Sequence, residues 1–588
     1  MNSSPEARGT TEPVAAGRSE FPDMGEAAPA LCRAAGLYSR AILEQAPRVL
    51  SLMDREILSP TAGCCDRTYW AWKFVDFPGA RFQEAVCVMS FLYATDLPDS
   101  PYFRNLRLLK WITLGLEYWT SIQYPDGSFD EAYPHERSLA ATAFTSFYVS
   151  EALHFLNQDL ETSTRSRVIQ SLRRAGEWLI RNDETHGFLS NHLAAAAAAL
   201  QHIYCLTGKA RFRERSQYFS EKILVHQSKE GWYEEYGGAD PGYQTHGSFY
   251  LARICQISSN DRLTQSLCRS MDFLALFIHP DGSLGGEYAS RNTQTYYPAA
   301  FEMLASRSSS ASFISERMRA AVETGSAAGL RSVDAYNYFP FLNNLVFAYL
   351  ACAAAERNAA KPIEPSPEEG LLWFSGAGLA RIRRDRYDAY IGTAKGGVLK
   401  VFDRTNGTHA YSDCGYLGKL QNGRCFSSQS QQPDRHAEVS ADRVTVDGAF
   451  YEVSKPIMKP ARFIGFRLFS LTAGRSPGLA RWLKNYLVRA LIYKRNSLDI
   501  RFRRSIEFHD DSIVIRDEIA GPGGAQVNSV QRGEIFTTIH MGSSRYFIAN
   551  ELERTASIEP SADPEIVPSQ IAAGVNLTRT VRFAAGLN

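Results

Sequence analysis

The sequence predicts a two-part architecture: an N-terminal α/α toroid followed by an antiparallel β-sandwich. Three observations predict it. Apolar residues recur at helical spacing from about residue 30 to residue 360. Within that stretch a glycine-bearing polar turn returns about every fifty residues. After a proline-rich break, the pattern changes to the alternation of strands.

The helical part occupies residues 31–360. EAAPALCRAAGLYSRAILEQA, SLAATAFTSFYVSEALHFL and HLAAAAAALQHIYCLTG carry apolar residues at i, i+3, i+4 and i+7. The run from Ala194 to Ala199 lets helices approach closely, as an inner ring requires. The repeated turns are DGSFDE from Asp126, ETHGFLSN from Glu184, EGWYEE from Glu230 and DGSLGGEY from Asp281. Their glycines, Gly127, Gly187, Gly231 and Gly282, are 60, 44 and 51 residues apart. Such a period holds two helices of about 15–18 residues with their connections, so each repeat is a helical hairpin. About six hairpins fit, forming a complete or incomplete toroid; a straight solenoid has the same spacing.

KPIEPSPEEG, residues 361–370, has the composition of a linker. Residues 371–588 then offer LARIRRDRYDAYIGTA, GVLKVFDRT, RVTVDGAFYEV, RFIGFRLFSL, LDIRFRRSIEFHDDSIVIRDEI and LTRTVRFAAG as strands of a sandwich. GLARWLKNYLVRALIYKR (478–495) breaks that pattern. It sets Leu479, Trp482, Leu483, Tyr486 and Leu487 on one face and Arg481, Lys484 and Arg489 elsewhere, a basic amphipathic helix between strands. It either packs on its own domain or meets a membrane surface or polyanion.

Composition bounds the function. With 64 Lys+Arg against 63 Asp+Glu the formal charge is +1, which removes bulk attraction to nucleic acid. No run of about 18 apolar residues offers a spanning helix. Residues 1–30 are small and polar, the composition of a disordered tail, and lack the apolar core of a secretory signal. Ten cysteines without ligand or framework spacing are expected as free thiols, and a cytoplasmic location follows as the expectation, peripheral at the inner membrane if the basic helix meets lipid.

Chemistry concentrates in the turns. Asp126, Asp130, Glu131, His135 and Glu136 lie in the first, Glu234, Glu235, Asp240, Tyr243 and His246 in the third, and Asp281, Glu287, Arg291 and Asn292 in the fourth. Trp70, Trp72 and Trp232 supply flat faces on which sugar rings stack. Each polar residue has an ordinary alternative as a helix cap or turn former. Asn191-His192 opens an alanine-rich helix; an uncharged amide beside a histidine can share the charge of a substrate carboxylate. Tyr243 follows 52 residues later, one hairpin on, and so falls on the neighbouring turn. Tyrosine titrates near 10, and a basic pocket lets it give or take a proton.

The Asn-His pair, the tyrosine with a nearby histidine fifty-odd residues later and the C-terminal sandwich resemble the heparinase II/III-like polysaccharide lyases, with their alginate-lyase and dermatan-sulfate-epimerase relatives. CDRTYWAWKFVDFPGARFQEA (65–85) resembles heparinase-like proteins found beside exopolysaccharide biosynthesis. The resemblance implies cleavage of a uronate-containing acidic polysaccharide by β-elimination. It assigns Asn191 to neutralising the C5 carboxylate, His409 (from NGTHAYSDCGY) or His192 to removing the C5 proton, and Tyr243 to protonating the leaving oxygen. Trp70, Arg81, His246 and Arg291 would hold the chain. No cofactor is required; His409, Asp413 and His436 are the residues open to a structural divalent metal. A C5-epimerase in exopolysaccharide biosynthesis is the alternative, followed by a hydrolase pairing Asp130 or Glu131 with Glu287 and by a non-catalytic glycan-binding protein.

Overall fold

The computed structural model describes residues 33–583, apart from 185–186, 296, 355–361, 365–368, 433–435, 454–456, 489–495, 537–544, 553–555 and 560–564. The tail over residues 1–30, half of the linker 361–370 and the last seven residues of the basic segment 478–495 therefore lie outside the described residues.

Among the described residues, twelve α-helices precede the sheets: α1 (Arg33–Leu52), α2 (Ala85–Ala94), α3 (Leu106–Ser121), α4 (Leu139–Leu156), α5 (Thr162–Arg181), α6 (Ser190–Thr207), α7 (Ala210–Val225), α8 (Pro241–Ile257), α9 (Asp261–Ala275), α10 (Ala299–Leu304), α11 (Ser309–Thr324) and α12 (Ala335–Ala354). The even-numbered helices pack in succession, and α12 returns to α2. The odd-numbered helices back them, α1 against α12 and α7 against α6. That closure makes a toroid of six hairpins rather than a straight solenoid. Burial follows position. Inner α4 and α6 are buried on all sides over most of their length, whereas outer α5 buries Val168, Leu172, Ala175 and Leu179 along one stripe.

The repeated turn is a structural device. Gly127 and Gly231 have φ of +101° and +98°, and a Cβ on either would lie 2.1 or 2.4 Å from the carbonyl oxygen of Arg174 or Arg269 on the outer helix. The side-chain amides of Gln123 and Gln227 each donate to the turn glycine's carbonyl at 3.0 Å. Each also donates to an outer-helix carbonyl, Ser171 or Ser266, at 2.9 Å. Gln83 does the same for the carbonyls of Gly63 and Gly115, so a further copy sits ahead of the four visible in sequence.

Two antiparallel sheets follow. β1 (Gly370–Phe374), β2 (Leu379–Arg383), β3 (Tyr387–Gly392), β4 (Val398–Asp403) and β5 (His409–Asp413) form a five-stranded meander. The second sheet contains β6 (Tyr416–Leu420), β7 (Cys425–Ser427), β8 (Ala437–Val439), β9 (Arg443–Val453), β10 (Ser497–Phe508), β11 (Ser512–Ala520), β12 (Val527–Arg532), β13 (Ser557–Glu559) and β14 (Val575–Arg582). Its order is β12-β6-β7-β9-β10-β11-β14-β13, with β8 on β9. Ile382, Ala389, Ile391, Leu399 and Val401 face Val444, Val446, Ile506, Ile515 and Val581 across the sandwich. The meander's other face sends Leu379, Tyr390, Val398 and Phe402 into the toroid core. Covered on both faces, β2, β3 and β4 are buried at every residue, while β10 and β11 alternate.

One expected strand is a helix. RFIGFRLFSL lies within α13 (Pro460–Leu471), which precedes α14 (Pro477–Val488) as a helical hairpin between β9 and β10. Pro460 at the first helical turn presets its start. Its apolar side chains are spread around the helix, so they satisfied the alternation of a strand as readily.

Candidate active site

The helix N-termini of successive hairpins converge at the turn end of the toroid, next to the meander. Asp240 caps α8, its carboxylate accepting the Tyr243 amide at 3.0 Å, and its other oxygen accepts the Arg291 amide at 2.7 Å. Leu189, just before α6, forms a β-bridge with Glu235. These contacts lace the second, third and fourth turns together.

Asn191 and His192 lie in the first turn of α6, and Tyr243 in that of α8. The two helices touch where Gly247 faces Asn191: a Cβ on Gly247 would sit 3.3 Å from the Asn191 Cα. Tyr243 lies one helical turn before Gly247, toward the N-terminus of α8 and on the same face. The Asn191 backbone N–H and side-chain amide donate to the two carboxylate oxygens of Glu235, at 2.8 and 2.9 Å. Burial pushes the Glu235 carboxyl up to about 8, against the pull of those hydrogen bonds. His192 Nδ1 lies 2.7 Å from Glu184 Oε2. A carboxylate only accepts, so Nδ1 carries the hydrogen and Nε2 presents a lone pair.

Phe144 gathers the rest. Arg81 lies 4.3 Å over its ring, His246 stacks on it at 5.4 Å and His192 meets it edge-on at 5.7 Å. Arg81 pairs with Glu84 and, at 3.1 Å, with Glu131. His246 is sandwiched between Phe144 and Tyr297 (4.2 Å), with Nε2 3.0 Å from the Tyr250 hydroxyl. Burial, with Arg81 adding to it, drives its imidazole well below the ordinary range, so it is a neutral layer beneath the site. Arg291 lies 4.1 Å over the Tyr236 ring, and its buried Nε has no hydrogen-bond partner among the described residues.

Asn191, His192, Tyr243, Arg81, His246 and Arg291 thus occupy connected positions around these helix ends. Trp70 and His409 are placed by other elements. The Trp70 indole donates to the Leu52 carbonyl at 2.8 Å, in the short Thr68–Trp72 helical turn. His409 starts β5, with Nε2 2.8 Å from Ser412 Oγ and its ring edge-on to Phe402. Its charged neighbour is Glu287, which faces Lys400 (3.8 Å) and Arg545 (3.5 Å). Trp232 is drawn into the joint with the sandwich: its indole donates to Glu230, which accepts the Gly376 and Ala377 amides. The residues named for a metal separate: Asp413 pairs with Arg504 and Arg579, whereas His436 faces Asp447 at 3.6 Å. Among the described residues, no group of three His, Cys, Asp or Glu side chains could hold a metal ion.

Sequence reading missed the organising side chains. Phe144 and Tyr297 look like ordinary core residues, and Glu184 sits in a turn whose spacing says nothing of His192. The Tyr546 hydroxyl donates to Asp334 at 3.0 Å and accepts from Asn337 at 2.7 Å, contacts across more than 200 residues that no local pattern signals.

Residues 81–301 match the family model described as the ulvan lyase N-terminal domain. That span runs from Arg81 to α10 and holds the Asn191, His192 and Tyr243 positions. The chondroitin AC lyase of Streptomyces coelicolor A3, solved with chondroitin sulphate, has the same fold, with a TM-score of 0.56 at 13% identity. The match covers 96% of this chain and 81% of that one. The chain thus shares the fold of that lyase, and its residues 81–301 resemble a lyase N-terminal domain. A Paenibacillus xanthan lyase matches at 11% identity and TM-score 0.49 over 83% of this chain. This chain spans 45% of that lyase's length. No curated protein matches the chain.

Proposed function

We propose that the protein is a lyase that cleaves a uronate-containing acidic polysaccharide by β-elimination, with its chemistry at the N-termini of α6 and α8. What supports this reading is that Asn191 and His192 open one helix and Tyr243 opens the next, that the two helices touch at Asn191 and Gly247, and that Glu184 holds His192 through Nδ1. Elimination needs three things: relief of the substrate carboxylate's charge, a base for the C5 proton and an acid for the leaving oxygen.

Asn191 donates to the carboxylate, whose charge grows as the C5 proton leaves. Two helix N-termini add partial positive charge there, and Arg81 and Arg291 supply cations at the edges. His192 Nε2 takes the C5 proton; Glu184 fixes its tautomer and stabilises the imidazolium that results. The C5–H electron pair forms the C4–C5 double bond, the C4–O bond breaks, and the Tyr243 hydroxyl protonates the departing oxygen. Proton return from His192 to Tyr243 through solvent resets the site. His409 as base would act from the sandwich wall; the Glu184 contact favours His192.

The paired-carboxylate alternative has less support. Against the push of burial, Arg81 holds Glu131, and Lys400 with Arg545 holds Glu287, below the usual carboxylate range, so neither keeps a proton to give. Asp130, pushed up to about 6 by burial, accepts the His135 and Arg137 amides and serves the turn.

The test is incubation with a panel of uronate polysaccharides in deuterated buffer. Ultraviolet absorbance from unsaturated chain ends is the expected result. Deuterium at C5 without cleavage would replace the lyase by an epimerase, and reducing ends with neither signal would replace it by a hydrolase.

A further inference from the structure

Amphipathic helices that belong to a folded domain turn their apolar face inward. The hairpin of α13 and α14 does the reverse. Ile464, Leu468, Leu471, Leu479, Trp482 and Tyr486 are each 40 to 60% exposed. The charged side chains hold the hairpin down instead. Arg467 pairs with Asp76 at 3.2 Å and lies over Phe77, and Lys484 pairs with Glu136 at 3.4 Å. The Arg475 carbonyl accepts from Arg137, and Phe466 meets Tyr133 edge-on at 5.0 Å. The loop that Arg467 grips also carries Trp72 and Phe74, which are exposed as well.

The charge of this segment is one-sided. Residues 455–495 contain ten Lys and Arg and no Asp or Glu. Lys459, Arg462 and Arg475 are exposed beside the apolar face. Helix α13 is 12 residues long, about 18 Å, well short of a bilayer's roughly 30 Å core, and the described part of α14 is also 12 residues. No described helix is long and apolar enough to cross a membrane. Short helices with aliphatic side chains outward, Trp and Tyr among them and a cationic margin have the form of an element lying in a bilayer interface.

We propose that the α13–α14 hairpin docks the protein on an anionic lipid surface, with its leucines, Ile464 and Trp482 in the interfacial layer and its free cations among the headgroups. Two other occupants fit less well. A second copy would bring two acid-free, basic segments together, and like charges repel. A soluble acidic polysaccharide would satisfy the cations but leave the aliphatic side chains in water. The hairpin rests on Tyr133 and Glu136 of the turn that also supplies Glu131 to Arg81, so docking brings the toroid's turn end to the membrane surface. That consequence for substrate delivery rests on the functional reading above; the docking itself does not.

The test uses the full chain and sedimentation with vesicles of phosphatidylcholine, with and without phosphatidylglycerol. Co-sedimentation with the anionic vesicles is expected, weakened about tenfold or more by omitting phosphatidylglycerol or by high salt. The double variant Leu468→Asp, Trp482→Asp should lose that binding with an unchanged circular dichroism spectrum. If those changes disturb folding, Lys459→Glu with Arg462→Glu, on exposed positions, reads the charge contribution alone. Absence of wild-type binding to anionic vesicles overturns the proposal, as does undiminished binding by both variants. A wild-type dimer that the aspartate variant makes monomeric, without vesicle binding, assigns the face to self-association instead. Retention on an acidic polysaccharide but not on vesicles assigns it to glycan.

Discussion

The molecule buries dense charge in two places and resolves it in opposite ways. Inside the sandwich, Arg504 meets Asp517 at 2.7 and 3.0 Å and Asp413 at 3.0 Å, while Arg579 meets Asp413 at 2.8 Å and Asp517 at 2.7 Å. Tyr416 adds its hydroxyl to Asp517 at 2.6 Å. Two cations face two anions, and against burial the arginines hold the Asp413 carboxyl far below its usual range. At the helix ends the acids outnumber their partners. Burial lifts Glu84 to about 7 and Glu235 to about 8, even with Arg81 and Asn191 against them. A matched cluster is complete and serves structure; an unmatched one beside His192 and Arg291 is what the proposed lyase site would use to receive an acidic ligand.

Mutation should separate the two regions cleanly. Tyr243→Phe, which under the proposed function removes only the leaving-group proton, should lower kcat by about 10²–10⁴-fold. Polysaccharide binding and the thermal midpoint should stay unchanged; wild-type turnover would remove Tyr243 from the chemistry. Arg504→Met should do the converse. Leaving Asp413 and Asp517 buried without that partner should cost about 3–5 kcal/mol in urea unfolding, with activity per folded molecule retained. Its pH signature follows from sign. A carboxyl depressed in the folded state stabilises above its unfolded value, near 4, and loses that contribution as pH falls. The wild type should therefore lose stability below about pH 4, and Arg504→Met should flatten that acid limb. Asn191→Ala should reduce kcat by about 10²–10³-fold, the scale of a lost donor to developing charge. An equal loss of thermal stability would show that Asn191 only braces Glu235.

The two regions also differ in how far sequence reveals them. The helices could be read from periodicity, and the Ala194–Ala199 run marked an inner one, but the same apolar spacing was read in outer α1 and in inner α4, which is buried on all sides. The Gly127 and Gly231 turns were visible because close approach to a carbonyl demands glycine. Asn191, His192 and Tyr243 fell on neighbouring turns because hairpin length fixes which residues return to the same end. Glu235 was visible as a turn acid, but its grip on Asn191 depends on a β-bridge between turns that no spacing encodes. The matched cluster was illegible: Arg504, Arg579, Asp413 and Asp517 come from four strands, and a buried arginine in an alternating strand looks like an exposed one. Likewise α13 passed for a strand, since a helix with apolar residues all round alternates as well as it cycles.

The smallest expected effect bears most directly on what makes the helix-end cluster unmatched. Glu235 has a folded value of about 8, above its ordinary value near 4.3. A carboxyl raised on folding contributes stability that is whole below about pH 4 and lost as pH rises through about 8. At neutral pH it carries a proton and can hold the Asn191 amide without adding negative charge near the substrate carboxylate. Ionisation above pH 8 places that charge beside Asn191, where the proposed function seats the substrate carboxylate. Glu235→Gln fixes the neutral state and keeps one of the two bonds to Asn191, since an amide nitrogen cannot accept the second. Activity at pH 7 should stay within about tenfold of wild type, the scale of one neutral hydrogen bond. Between pH 7 and pH 9 the variant's KM should rise less than the wild type's, and its thermal midpoint should fall less. Glu235→Ala, which removes the anchor altogether, should instead lose activity across the whole range. Superimposable alkaline limbs for wild type and Glu235→Gln would mean that another group sets that limb, and that the surplus of buried acid at the helix ends is structural.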